Sequence, residues 1–169
     1  FQGQALIQHK FSQISPRMTQ GDLDGDGQID ILIGAGYEQP TLAYLQKNGK
    51  FVLTEIQGLT GMKPAQESDL LIIDIDNDGD QDVIAISGGY AIEDETIYKH
   101  HLYRSNAGVF TKEEINVPSF PASVIRASDF DKDGDTDLFI GARIKKWSFP
   151  LSLNSYLLIN DKGNLISSP

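Results

Sequence analysis

Residues 22–30 read DLDGDGQID, and the same spacing of aspartates returns as DIDNDGDQD at 74–82 and DFDKDGDTD at 129–137. Carboxylates this close to one another repel, so such a cluster needs a cation or hydrogen-bond donors nearby to be tolerated. One cluster of this kind can arise by chance, whereas three with the same spacing indicate a repeated structural unit. The repeat therefore decides how the rest of the chain is interpreted.

The repeat extends well beyond the aspartates. The three windows begin 52 and 55 residues apart, a period in the range of propeller blades. Each window is followed by an apolar run, an aromatic or aliphatic segment, a turn signal and a further extended segment. The turn signals are KNGK at 47–50, SNAG at 105–108 and NDKG at 160–163. With a candidate strand before each window, every unit contains four short strands.

Four strands in succession, without a helical stretch long enough to cross over a sheet, favour an antiparallel meander, the blade of a propeller. We predict an all-β, β-propeller-type array of three four-stranded antiparallel blades. Because propellers usually close with four to eight blades, this array is a partial propeller or closes by self-association. The predicted boundaries are 1–14 for a tag remnant and lead-in strand, then 15–60, 61–118 and 119–169 for the blades.

The composition narrows the classes of function. The net charge is −10, and 14 of the 24 acidic residues lie in the three windows, so the acidity belongs to the loops. We expect no nucleic-acid partner, which would need a cationic surface, and no membrane insertion, which would need a long apolar run. The chain lacks cysteine, which excludes thiolate metal sites. Residues 1–3, FQG, resemble the tail of a tag-cleavage site and are either vector-derived or native.

The spacing D-x-D-x-D-G-x-x-D is typical of a loop that wraps oxygen ligands around Ca²⁺. Carboxylates occupy positions 1, 3, 5 and 9, glycine at position 6 permits a sharp turn, and position 7 turns its backbone carbonyl inward. We predict three Ca²⁺ sites, with the ligands Asp22, Asp24, Asp26, Gln28 and Asp30; Asp74, Asp76, Asp78, Asp80 and Asp82; Asp129, Asp131, Asp133, Asp135 and Asp137. A bound cation offsets the mutual repulsion of these carboxylates.

An EF-hand begins with the same spacing and is the main alternative. It requires a bidentate glutamate at position 12 and flanking helices. Position 12 is Ile33, Ala85 and Ile140, and each of these lies in an apolar run with a strand-like pattern. The EF-hand interpretation therefore fails at all three loops.

The acidic loop followed by an apolar run and IGAG, ISGG or IGAR resembles the FG-GAP or VCBS repeat family, over about residues 15–167. This family occurs in integrin α-subunit propellers and in bacterial exported proteins. The resemblance implies a β-propeller with Ca²⁺ held between the first and second strands of each blade. The name-giving FG and GAP motifs survive only in part, which weakens a specific link to integrin ligands.

The loops between the second and third strands of each blade lie at the end opposite the acidic loops, and they are a natural binding surface. Their candidate ligand-binding residues are Tyr37, Tyr90, Arg143 and Trp147. Aromatic residues and arginine are enriched at recognition surfaces. An alternative is that these rings cover blade edges or pack against neighbouring blades.

Nothing in the sequence indicates catalysis. His100 and His101 are adjacent on a predicted strand and point to opposite sides of it, and the remaining histidine is His9. The sequence lacks a nucleophile elbow, a phosphate-binding loop and a zinc-protease motif. We therefore expect a chain that is not an enzyme.

These features predict a calcium-binding propeller module for extracellular protein or glycan binding, adhesion or scaffolding. The alternatives are an accessory, substrate-holding region of a larger exported enzyme, or a structural spacer or oligomerisation element. Calcium dependence and the family resemblance predict a bacterial periplasmic, cell-surface or secreted location. Expected partners are a protein or glycan, together with a second copy of the chain or the remaining blades of a longer chain.

Overall fold

The computed structural model describes residues 17–64, 66–89, 95–145, 148 and 151–168. Its described part consists of three antiparallel sheets and a short 3₁₀ turn at Glu95–Ile97. In each sheet four strands follow one another in chain order, so each sheet is built on a meander. We call the sheets blades 1, 2 and 3.

Blade 1 contains β1 to β4 in that order, and a short fifth strand is added to β3. The strands are β1 Met18–Gly21, β2 Asp30–Ile33, β3 Pro40–Lys47, β4 Lys50–Thr54 and β5 Gly61–Met62. Because β5 pairs with β3, the first sheet reaches two residues past the boundary that the sequence predicted at residue 60.

Blades 2 and 3 each contain four strands in chain order. Those of blade 2 are β6 Gln66–Ile73, β7 Asp82–Gly88, β8 His101–Asn106 and β9 Val109–Glu114. Those of blade 3 are β10 Ala122–Ser128, β11 Asp137–Ala142, β12 Tyr156–Asp161 and β13 Asn164–Ser167. The predicted array of three four-stranded antiparallel blades is confirmed.

The tight turns lie where the sequence signals predicted them, between the third and fourth strands of each blade. Asn48 and Gly49 both have positive φ, as do the two central residues of the corresponding turns in blades 2 and 3. Two successive residues with positive φ form the two-residue turn whose twist matches that of the flanking strands. These turns set the registers of the outer hairpins, for example Lys47 opposite Lys50.

The apolar cores lie between the blades. Leu32 of blade 1 and Val83 of blade 2 belong to one buried cluster, whereas Ile84 of blade 2 and Leu138 of blade 3 belong to another. Alternate residues of β7 therefore serve two different cores, and all seven residues of this strand are buried. Each boundary joins one face of a blade to the opposite face of the next blade.

In the described part of the chain, no helical segment reaches the length and hydrophobicity that a bilayer-spanning helix needs.

His100 and His101 lie at the start of the third strand of blade 2. His100 is buried, its Nδ1 accepts a hydrogen bond from the Ser87 N–H (3.2 Å), and its ring meets Phe120 edge to face at 4.6 Å. Among the described residues, Nε2 of His100 has no hydrogen-bond partner. Burial lowers the pKa of both His100 and His101 to about 4.

Stability should therefore fall as the pH decreases from about 6.5 towards 4. The unfolded chain protonates His100 first, because its ordinary pKa of 6.5 is higher than the folded value of about 4. The stabilisation is fully present above pH 6.5, and its loss approaches about 3 kcal/mol at pH 4. We expect His100→Asn, which keeps an acceptor for Ser87, to flatten the dependence of unfolding free energy on pH in urea titrations between pH 7 and 5. Identical slopes for the two proteins would contradict this assignment.

Candidate metal centre

A buried aspartate closes each acidic loop. In blade 1 the carboxylate of Asp30 accepts hydrogen bonds from the N–H of Leu23 in the loop (2.8 Å) and of Gln46 in β3 (2.8 Å). In blade 2 Asp82 accepts from Ile75 (3.1 Å) and Ser105 (2.8 Å).

The same arrangement recurs in blade 3, where Asp137 accepts from Phe130 (2.7 Å) and Asn160 (2.8 Å). We call Asp30, Asp82 and Asp137 the carboxylate clamp. All three are at most 1% exposed. Burial raises the pKa of Asp30 and of Asp82 above the ordinary carboxyl value, although the donated N–H groups act in the opposite direction. The clamp ties the acidic loop to the third strand of its own blade.

The first aspartate of each loop organises the loop backbone. The carboxylate of Asp22 accepts hydrogen bonds from the N–H groups of Gly25 (2.8 Å), Asp26 (3.1 Å) and Gly27 (2.8 Å). Asp74 and Asp129 accept from backbone N–H groups of their own loops in the same way. These bonds curl each loop around its first carboxylate.

Three carboxylates in each loop converge on one point. Each of them offers one oxygen, and the three oxygens lie within 4.8 Å of one another; the groups are Asp22, Asp24 and Asp30; Asp74, Asp76 and Asp78; Asp129, Asp131 and Asp137. In the described structure, Oδ1 of Asp24 and Oδ1 of Asp76 are buried without a hydrogen-bond partner. A buried carboxylate oxygen without a donor is costly unless a cation satisfies it. The donor sets thus fit a hard divalent cation, which prefers oxygen ligands.

Side-chain cations already contact two of the loops. The Lys47 ammonium lies 2.5 Å from Oδ2 of Asp24 and 2.6 Å from Oδ2 of Asp26. These contacts raise the pKa of Lys47 and lower that of Asp26. In the second loop, Nη1 of Arg104 lies 2.7 Å from Oδ2 of Asp76. Within the described residues, no ion pair of this kind reaches the third loop.

The remaining predicted ligands lie in the same loops with other partners. The Gln28 side chain donates to Oδ2 of Asp26 (3.0 Å). Asp80 and Asp135 accept from the N–H groups of Ala107 and Lys162 in the tight turns, both at 2.8 Å. Asp133 accepts from Asp135 N–H at 2.9 Å. Asp80 and Asp135 thus tie their loops to the tight turns of their own blades, whereas the contacts of Gln28 and Asp133 lie within the loops.

Two of the four candidate ligand-binding residues, Tyr90 and Trp147, lie outside the described residues. Tyr37 is half exposed in the connection between β2 and β3, and the neighbouring Glu38 carboxylate raises its pKa. Arg143 is exposed directly after β11, where it lines a small cleft with Arg17 and Ser123. Tyr37 and Arg143 thus follow the second strands of blades 1 and 3, at the ends away from the acidic loops.

The sequence did not predict the Lys47 and Arg104 side chains that contact the acidic loops, or the contacts between blades. Lys47 directly precedes a tight turn, and its position two strands after the acidic loop is the signal that would have placed it near Asp24. No comparable signal marks Glu67, a buried carboxylate of blade 2 that accepts from Ala35 N–H (2.7 Å) and Thr41 Oγ1 (2.6 Å) of blade 1. This interaction depends on how the blades pack.

A family model described as FG-GAP-like repeat matches the sequence twice, at residues 22–85 and 74–140. Each match starts at the first aspartate of an acidic loop and ends in the second strand of the following blade. The two matches together span 119 of the 169 residues. No curated protein matches the sequence.

The carboxylate clamp should stabilise the fold without metal. We expect Asp82→Ala to lower the unfolding free energy by about 2–5 kcal/mol in chelator, because it leaves two buried N–H groups without an acceptor. The matched control is Asp78→Ala in the same loop, which removes an exposed carboxylate and should leave stability unchanged or slightly higher. Urea unfolding of both variants measures the difference, and equal losses would contradict the role of the clamp.

Proposed function

The chain belongs to the FG-GAP-like repeat family, and on that basis we propose that it is a calcium-stabilised, propeller-type binding module that acts outside the cell and is not an enzyme. The observation that carries the proposal is the convergence of three carboxylates in each of three loops of the same design. Without a cation, this convergence would only add to the repulsion among the carboxylates of each loop.

Calcium accounts better than other cations for the ligand chemistry. It takes six to eight hard oxygen ligands in a flexible geometry, whereas magnesium demands a near-ideal octahedron and usually keeps several waters. The three converging carboxylates of each loop would be joined by the backbone carbonyl at position 7 and by water. In blade 1 this carbonyl is that of Gln28 and in blade 2 that of Asp80. A bound ion would hold the loop rigid and reduce repulsion among its carboxylates.

The proposed binding surface is the end of the blades away from the metal loops. Arg17 of blade 1, Gln66 of blade 2 and Arg143 of blade 3 line one cleft at this end. Arginine suits recognition of carboxylates and hydrogen-bonding ligands, so an acidic glycan or protein loop is a fitting occupant. A glycan that binds without turnover would support a binding module, whereas hydrolysis by this chain would overturn it in favour of an enzyme.

An extracellular or periplasmic site of action follows from the affinity expected of such loops. Extracellular calcium modules commonly bind with Kd of about 10⁻⁴ to 10⁻³ M. Resting cytosol does not supply free calcium at this level. Loops of this affinity would therefore be filled in secreted or surface-exposed proteins.

Calcium titration of the chelator-stripped chain by isothermal calorimetry should give binding with Kd of about 10⁻⁴ to 10⁻³ M and a higher melting temperature, because the ion binds only the folded loops. We expect Asp131→Asn to remove one site and reduce the gain in melting temperature. The matched control is Glu55→Gln, which makes the same change of charge at an exposed position outside the loops. An absence of binding at millimolar calcium would overturn the metal proposal.

Lys47 should weaken metal binding in the first loop, because its ammonium forms ion pairs with two of the predicted ligands, Asp24 and Asp26. We expect Lys47→Met, which keeps most of the aliphatic stem, to raise calcium affinity at this loop about tenfold by removing one nearby positive charge. In chelator the same variant should be slightly less stable. Lys50→Met, at the opposite position of the hairpin, is the control, and an unchanged affinity in both variants would contradict competition by Lys47.

A further inference from the structure

The two boundaries between blades are built in the same way, from one face of a blade and the opposite face of the next blade. The Leu32 face of blade 1 packs on the Val83 face of blade 2, and the Ile84 face of blade 2 packs on the Leu138 face of blade 3. The position relative to the clamp aspartate identifies the face. The residue two positions after it marks one face of each blade, namely Leu32, Ile84 and Phe139. The residue directly after it marks the opposite face, namely Ile31, Val83 and Leu138. Among the described residues, one blade face at each end of the array therefore has no blade packed on it: the Ile31 face of blade 1 and the Phe139 face of blade 3.

The Ile31 face keeps the apolar character of an internal boundary. Met18 is 67% exposed, whereas its equivalent Leu70 in blade 2 is 6% exposed. Phe51 is 50% exposed, whereas its equivalent Phe110 is 4% exposed. The registers establish both equivalences, since Met18 pairs with Ile33 as Leu70 pairs with Ala85, and Phe51 pairs with Gln46 as Phe110 pairs with Ser105. This face has the composition of a buried surface.

The Phe139 face shows the same feature at the other end of the array. Phe139 pairs with Leu157 just as Leu32 pairs with Ala43 in blade 1 and Ile84 with Leu102 in blade 2. The four residues of blades 1 and 2 are buried, but Phe139 and Leu157 are only partly buried. Unlike the internal faces, this face therefore still exposes apolar surface that is available to a further blade.

A second contact recurs at both internal boundaries, where the tight turn of one blade lies against the acidic loop of the blade before it. A Cβ on Gly108 of blade 2 would lie 3.4 Å from Cα of Asp24, and a Cβ on Gly163 of blade 3 would lie 2.6 Å from Cβ of Asp76. The equivalent Gly49 of blade 1 has nothing within 4 Å among the described residues. At an equivalent boundary, the Gly49 turn would lie against the acidic loop of a blade placed before blade 1. If that blade is blade 3 of another copy, the loop is the one that carries Asp131.

We propose that two copies of this chain associate head to tail, with the Phe139 face of each copy on the Ile31 face of the other. The three described blades are fewer than the four to eight with which propellers close, whereas the same blades of two copies number six. The chain itself carries both halves of the boundary, so a second copy provides the matching surface at each end. Two identical contacts then relate the copies by a twofold axis, and each Gly49 turn meets the Asp131 loop of the other copy. This arrangement requires no metal.

Sedimentation velocity on the full chain tests the proposal, with Met18→Glu on one face and Leu157→Glu on the other. The wild type should sediment as a dimer, and each variant should weaken the dimer at least about 100-fold, because every dimer contains the altered contact twice. Val109→Glu is the control, since Val109 is a comparably exposed apolar residue of the middle blade and should leave the dimer intact. Thermal unfolding of every variant confirms that loss of the dimer is not loss of the fold.

Mixing the two variants distinguishes head-to-tail association from other arrangements. A mixed dimer of Met18→Glu and Leu157→Glu chains contains one contact with both faces unaltered, so mixing should restore association in part. If two Ile31 faces paired with each other, Leu157→Glu would stay dimeric, and that result would overturn the proposal. A monomeric wild type at the highest soluble concentration would overturn it as well. Parallel runs in calcium and in chelator keep this result separate from that of the metal titration.

Discussion

The buried carboxylate that ends each acidic loop is the interaction on which the rest of a blade depends. Asp30, Asp82 and Asp137 each bind two backbone N–H groups, one from the loop and one from the third strand. Those bonds hold the loop over the end of the sheet, where three of its carboxylates converge. In blades 1 and 3 the clamp aspartate is itself one of the three. Without this tie, the acidic loop would lose its buried link to the third strand, and its carboxylates would repel one another with less to hold the loop in place.

Local patterns in the sequence were enough to predict the blades. A strand pattern, an acidic loop and a tight turn each depend on residues close together in the chain, so their threefold recurrence predicted the strand order and the three outer turns. The sequence predicted which aspartates belong to each loop. It did not predict which of them accept backbone hydrogen bonds and which converge on a common point. The sequence alone does not show that Asp30 and Asp82 accept hydrogen bonds from backbone N–H groups. Two of those donors, Gln46 and Ser105, lie 16 and 23 residues further along the chain.

Contacts between blades were beyond prediction for a related reason. The hydrogen bonds of Glu67 with blade 1 and of Arg104 with the Gly163 carbonyl of blade 3 join residues that no local pattern relates. The loops are alike in sequence but differ in these neighbours: the residue before the tight turn is Lys47 in blade 1, Asn106 in blade 2 and Asp161 in blade 3. Three nearly identical loops are thus placed in three different electrostatic environments.

The contact of each tight turn with the acidic loop of the preceding blade gives the array a mechanical polarity. At both internal boundaries the turn belongs to the later blade and the loop to the earlier one. Each acidic loop therefore offers a docking point to the outer hairpin of the next blade. During synthesis an emerging chain can dock each new outer hairpin on a loop of the preceding blade that has already been made.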